Sequence, residues 1–211
     1  MKKISFYIIA GAMIITTSGC SKMLQSMYGM KPYRTVNNED IIELASKYKI
    51  PAEKSFSIDT TYKNFLQGFR VGYTSLRTDN HNHPLQAVYY DRNGIQYSFQ
   101  SGVYAGNSLS NFLWNNEKQF TKFPPYTSVP IDSMFTFSQH LNYLKTLDGK
   151  SLNASRYTEA DYNVIVHWAR FAGRQSKRLV KTVQRNYDKL GKNKKVNFFY
   201  VNTDNLYEGV E

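Results

Sequence analysis

The chain has 211 residues, a single cysteine, and 27 Lys and Arg against 16 Asp and Glu, for a formal net charge of +11. One cysteine excludes an intramolecular disulfide framework and any two-thiol exchange within the chain. The basic excess comes without an Arg-rich or aromatic-interleaved nucleic-acid motif, so no nucleic-acid partner is expected, and no repeat period or low-complexity tract stands out.

Residues 1–20 read as a targeting segment. Lys2 and Lys3 form a basic start, and the apolar run from Phe6 to Ile15 is too short to span a bilayer as a mature helix. Thr17-Ser18-Gly19-Cys20 resembles a bacterial lipobox, with Thr17 in place of the usual leucine. The resemblance implies cleavage before Cys20 and lipidation of that cysteine, palmitate included. Ser21-Lys22 lacks the acidic residue associated with inner-membrane retention, which implies an outer-membrane anchor on the periplasmic side. Residues 21–36 read as a tether and 37–211 as one domain. Without Lys2 and Lys3 the mature chain keeps 25 basic and 16 acidic residues. After export the polyanions within reach are lipid headgroups and envelope polymers.

A helix is predicted from Asn38, with Asn37 or Asn38 as cap, Glu39 and Asp40 in its first turn, and Pro51 as its stop. A second helix over 60–69 has Asp59 as cap and turns Tyr62, Phe65, Leu66 and Phe69 inward. The segment 79–84, Asp-Asn-His-Asn-His-Pro, reads as a polar turn; its two histidines have no third ligand at convincing spacing, and no metal is expected. Residues 85–90 and 95–99 form a hairpin around Asp91-Arg92-Asn93-Gly94. A helix follows over 107–118, and the prolines at 124, 125 and 130 mark a crossover within 121–142. Residues 135–147 fit a helix around 137–144 or an entering strand. One helical turn is expected within 155–160.

The most structured stretch is 163–177. Val164-Ile165-Val166 has the pattern of a buried strand. Trp168-Ala169 leads to a turn at Gly173, then a helix with Leu179, Val180, Val183, Tyr187 and Leu190 on one face. Residues 196–201 form a second strand, completing a βαβ unit. The stretch resembles the active-site segment of thioredoxins and their membrane-tethered thiol–disulfide oxidoreductase relatives. In that family a strand leads into W-A-x-W-C-G-P-C at a helix N-terminus. Trp168, Ala169, Phe171 and Gly173 match in identity or kind, and 144–152 is similar to the family's entering hairpin. Ala172 and Gln175 occupy the places of the two cysteines, with Gly173 and Arg174 between them, so the redox motif is degenerate.

The resemblance implies an α/β fold, a thioredoxin-like mixed sheet flanked by helices. Residues 37–120 follow the order of that fold's second half, and 143–211 that of its first half; one reading is circular permutation, the other an unrelated α+β half that covers the βαβ unit in its own way. On the permuted reading the strands 196–201, 163–168, 85–90 and 95–99 lie side by side in that order, with 85–90 antiparallel to 163–168. The resemblance further implies a cis peptide before Pro84, with Pro84 close to Ala172, and a chain end near Asn38.

The expected function is that of a redox-inactive envelope lipoprotein serving as a binding or scaffold module, with no cofactor and with an unidentified protein or peptide as partner. His167, Trp168, Arg170, Arg174 and Pro84 are the candidate groove or anion contacts, because a helix start presents unpaired N–H groups. Two alternatives stay open: an enzyme with cysteine-free chemistry at the degenerate turn, and a basic structural protein that binds anionic envelope polymers. No G-x-S-x-G elbow, Walker loop or dinucleotide glycine run is present.

Overall fold

The central strand, β5 (Tyr162–Trp168), is buried from Asn163 onward, as a strand covered on both faces must be. In the computed structural model, which describes residues 29–68, 80–102, 114, 118–131 and 136–207, it is the third strand of a six-stranded mixed sheet. The other strands are β1 (Ser55–Ile58), β2 (Gln86–Asp91), β3 (Gln96–Ser101), β4 (Leu144–Thr146) and β6 (Val196–Asn202). The helices are α1 (Asn38–Lys47), α2 (Thr61–Gly68), α3 (Phe137–Leu141) and α4 (Gly173–Leu190).

The sheet runs β3-β2-β5-β6-β1-β4. β5 and β6 are parallel, as the intervening α4 requires, while β2 is antiparallel to both β3 and β5. The four anticipated strands therefore take the anticipated order and directions. β1 was not anticipated. It pairs in parallel with β6 and carries β4 on its outer side, so the sheet continues two strands past 196–201. Four residues of Ser-Phe-Ser-Ile are too short to show a period.

Alternation along the strands divides the core in two. Ala87, Tyr89, Val164, Val166, Trp168, Phe198 and Tyr200 pack with Ile41 and Ala45 of α1 and with Leu179, Val180 and Val183 of α4. Val88, Tyr90, Ile165, Phe199 and Val201 pack with Tyr62 and Leu66 of α2 and with Phe137 and Leu141 of α3. Each such side chain removed from water contributes about 1.5–3 kcal/mol. Leu190, expected on the inner face of α4, is 46% exposed, because the last turn of the helix runs past the sheet.

Local signals set the element ends. Asn37 caps α1 by accepting from Asp40 N at 2.8 Å. Thr136 and Gln139 form a reciprocal capping box on α3, and β4 begins only three residues after that short helix ends. Residues 135–147 thus contain both the helix and the strand between which periodicity could not choose. In the β2–β3 turn, Asp91 Oδ1 accepts from Asn93 N and Ile95 N, and Gly94 adopts φ +75°. The helix expected over 107–118 falls largely outside the described residues, as do Cys20 and the leader. Asn205 hydrogen-bonds both backbone groups of Val36, which brings the end of the sheet to the entrance of α1. The peptide before Pro84 is trans, correcting the expected cis bond; the cis proline bond is Phe123–Pro124, in the crossover.

Candidate functional site

The turn around Ala172 joins β5 to α4. Its backbone donors already have an anion, which belongs to the chain itself. Asp204 accepts from Arg170 N through Oδ2 and from Phe171 N through Oδ1 at 3.1 Å, and Asn202 Nδ2 donates to Oδ2 at 2.8 Å. Burial pushes the Asp204 carboxyl above its ordinary range, against the pull of these hydrogen bonds. Ser176 closes the other side, accepting from Ala169 N at 3.0 Å and donating to Ala169 O at 2.6 Å.

The segment entering the domain lies over this turn. Lys31 N donates to Phe171 O at 2.7 Å, the Arg170 guanidinium donates to Pro32 O, and the Tyr33 and Phe171 rings meet at 4.5 Å. Gly173 has φ +43°, and a Cβ there would stand 1.9 Å from Gly29 O, so only glycine admits the crossing. Residues 29–33, within the expected tether, thus cross the turn and contact it while Met30, Lys31, Pro32 and Tyr33 stay exposed.

The expected contacts do not form one open groove. Trp168 is fully buried on the α1/α4 face, edge-on to Tyr48. Arg170 is 8% exposed and committed to Pro32. Pro84 is half-buried, and Thr203 links it to Trp168 by donating toward both carbonyls at 3.3 Å. Ala172 and Gln175, in the cysteine places, are buried, and of the candidate contacts Arg174 alone is exposed. No acidic residue stands in the first turn of α4, which holds Arg174 at its positive end instead.

His167 points the other way, into a polar cluster that sequence reasoning did not assemble. His81 and His140 are fully buried and His167 is 1% exposed. Gln86 Nε2 donates to the carbonyls of His81 (2.7 Å) and His83 (3.0 Å) and lies 3.1 Å from His167 Nδ1. His167 Nε2 is 3.1 Å from His140 Nε2, and His140 Nδ1 is 2.9 Å from the Tyr90 hydroxyl. Tyr62 stacks on His140 and meets His167 edge-on. All four histidines of the chain therefore gather around Gln86 and His140.

The two carbonyls fix the Gln86 amide with its NH2 toward His167; its two hydrogens are shared among three acceptors, and an NH2 facing Nδ1 places a lone pair rather than a hydrogen there. His167 Nδ1 accepts, so its hydrogen is on Nε2 and is donated to His140 Nε2. His140 then carries its hydrogen on Nδ1 and donates to Tyr90. Both rings are neutral. Burial, and then the neighbouring histidines, hold His140 well below its ordinary range; burial brings His167 down to about 3. A metal between the two Nε2 atoms would move the His167 hydrogen to Nδ1, against the Gln86 NH2. The pair does not fit a metal, and among the described residues no group of three His, Cys, Asp or Glu is placed to hold one.

Two signals for this cluster were present in the sequence. His167 alternates with Val166 and Trp168 and so had to face away from them, and a polar residue within a doubly covered strand needs a partner. The partner His140, 27 residues upstream, had no mark of its own. No family model, curated protein or solved structure matches the chain.

Proposed function

We propose that the chain is a redox-inactive, thioredoxin-like module of the bacterial envelope, held at the outer membrane by lipid on Cys20 and acting in the periplasm by binding rather than by catalysis. One observation carries the redox-inactive reading. The turn in the place of the reactive centre has Ala172 and Gln175 where thiols would stand, and its amides at Arg170 and Phe171 are engaged by Asp204. Thiol–disulfide exchange needs a thiolate and a resolving thiol, and neither a methyl group nor a carboxamide can replace them. The strand order, the parallel β5–α4–β6 unit and the meeting of Asn205 with Val36 support the likeness to a permuted thioredoxin.

With the turn filled from within, the binding surface lies elsewhere. Lys177, Arg178, Lys181, Arg185 and Lys189 are exposed along α4 and favour a second reading, a scaffold that binds anionic envelope polymer. The purified protein is expected to reduce insulin disulfides no faster than buffer; turnover above buffer sinks the redox-inactive reading. Labelled palmitate should be incorporated by the native chain and lost in Cys20→Ser; label that persists in the variant defeats the anchor. Crosslinking in intact envelopes separates the two binding readings: a defined protein partner supports the module, and polymer alone supports the scaffold.

A further inference from the structure

A cleft of about 490 Å3 opens between α1, the start of α4 and residues 29–31. Three separate segments bring cations to it: Lys31 from the entering strap, Lys47 from α1, and Arg174 and Lys177 from α4. Met30, 43% exposed, and Leu44 give it an apolar edge. Lys47 is paired with Glu43 on the exposed side of α1. Among the described residues, neither Lys31 nor Lys177 has an ion-pair partner.

This cleft is also where the chain enters the domain. Gly29 lines it, and Cys20 lies nine residues earlier in the sequence. Nine residues reach at most about 30 Å. That is close to the length of the 18-residue α4, about 27 Å at 1.5 Å per residue. A chain lipidated at Cys20 therefore delivers this cleft within reach of the bilayer, but a tether as long as α4 leaves the choice of face to the surface itself: the cleft at the start of α4, or the far end with Lys192, Lys194 and Lys195.

We propose that the Gly29–Arg174 face rests on a membrane surface containing anionic phospholipid, with headgroup phosphates drawn to the cleft between Lys31, Lys47, Arg174 and Lys177. The inference rests on the lipid-anchor reading above. Basic residues strengthen attachment to such a surface, and the attraction fades within a Debye length, about 8–10 Å at physiological salt. The anchor supplies a high local concentration, so four cations need only orient a domain already delivered to the surface. Lipid-headgroup docking also gives Met30 an interfacial place, which a free anion would not.

The test uses the full-length protein, reconstituted into vesicles of phosphatidylcholine alone or with phosphatidylglycerol, and reads amine-labelling rates residue by residue. Lys31, Lys47 and Lys177 are expected to label at least about fivefold more slowly with phosphatidylglycerol, while Lys192, Lys194 and Lys195 are unchanged. Replacing both Lys31 and Lys177 with Gln should at least halve the phosphatidylglycerol-dependent protection of Lys47 without moving the melting temperature. Equal labelling on both vesicle types overturns the proposal, and so does protection confined to residues 192–195. Protection by inorganic phosphate without vesicles also overturns it, reducing the cleft to a small-anion site. The mass of the N-terminal fragment reads lipidation separately. Lipid on Cys20 without headgroup-dependent protection defeats the face alone, whereas protection that survives in Cys20→Ser, with no lipid found on the native chain, supports the face and defeats only the anchor.

Discussion

The two faces of one strand solve burial differently. Trp168 and His167 are neighbours in β5, both essentially inaccessible, on opposite sides of the sheet. On the α1/α4 side the sheet packs through apolar and aromatic side chains. Trp168 Nε1 and the Tyr89 hydroxyl are buried there with no hydrogen-bond partner among the described residues. On the α2/α3 side the polar atoms of Gln86, His167, His140 and Tyr90 form a continuous line. The first face gains its stability from apolar area and tolerates polar tips at a cost. The second depends on its connected hydrogens staying in place, although among the described residues Gln86 Oε1 is itself buried without a partner.

Truncation on the α1/α4 face should have the largest effect. Trp168→Ala is expected to cost about 3–5 kcal/mol, read from denaturant unfolding, since it removes the largest fully buried side chain and leaves a cavity. A cost below about 1 kcal/mol would mean that this face is not close-packed.

Acid should act on the wired face. The folded-state pKa values of His140 and His167 lie below the unfolded value near 6.5, so below that pH the unfolded chain binds more protons. Their contribution to stability is complete above about pH 6.5 and is lost as the pH falls toward about 3, by about 1.4 kcal/mol per pH unit for each histidine. Asp204, with its raised pKa, changes stability in the opposite sense, but only in its own carboxyl range; Asp59 and Asp161, held low, lose theirs below the ordinary carboxylate value of 3.8. His83, held low by burial, adds to this slope, and Asp204 opposes it as far as its raised range extends. His140→Phe should make the slope below pH 6.5 shallower, with His167 and His83 supplying the rest, and a slope unchanged in that variant would contradict the neutral pair.

Adjacent tyrosines sharpen the comparison further. Tyr90→Phe removes the acceptor of His140 Nδ1–H and should cost about 1–3 kcal/mol. Tyr89→Phe removes a hydroxyl without a partner and should be neutral or stabilising, by up to about 1 kcal/mol. Equal losses at the two positions would erase the distinction between the faces. The smallest effect belongs to the exposed side of α4. Replacing Lys181 and Arg185 with Gln should leave stability within about 0.5 kcal/mol, while weakening polyanion binding most at low salt.

Much of the fold was legible because it is local. Val164-Ile165-Val166, the Asp91–Gly94 turn and the Asn37 cap each specify their element within a few residues. β1 was not legible, since its pairing with β6 joins residues about 145 apart and its four side chains show no period. At the β5–α4 turn the absence of thiols was legible, and the contacts that hold the turn were not. Nothing near position 170 announces that Asp204 accepts from its amide, or that Gly29 lies over Gly173. The histidine line was half legible, through the alternation of His167, with its partner hidden in a helix of five residues.

The central claim is that the β5–α4 turn is an internal anchor, with Asp204 on its amides and residues 29–33 over it. Amide hydrogen exchange at Arg170 and Phe171 tests it most directly. The account predicts that both exchange as slowly as Val164 and Val166, through global unfolding, and that Asp204→Ala brings them to loop-like rates. Fast exchange of these two amides in the native protein, with the strands still protected, would contradict it.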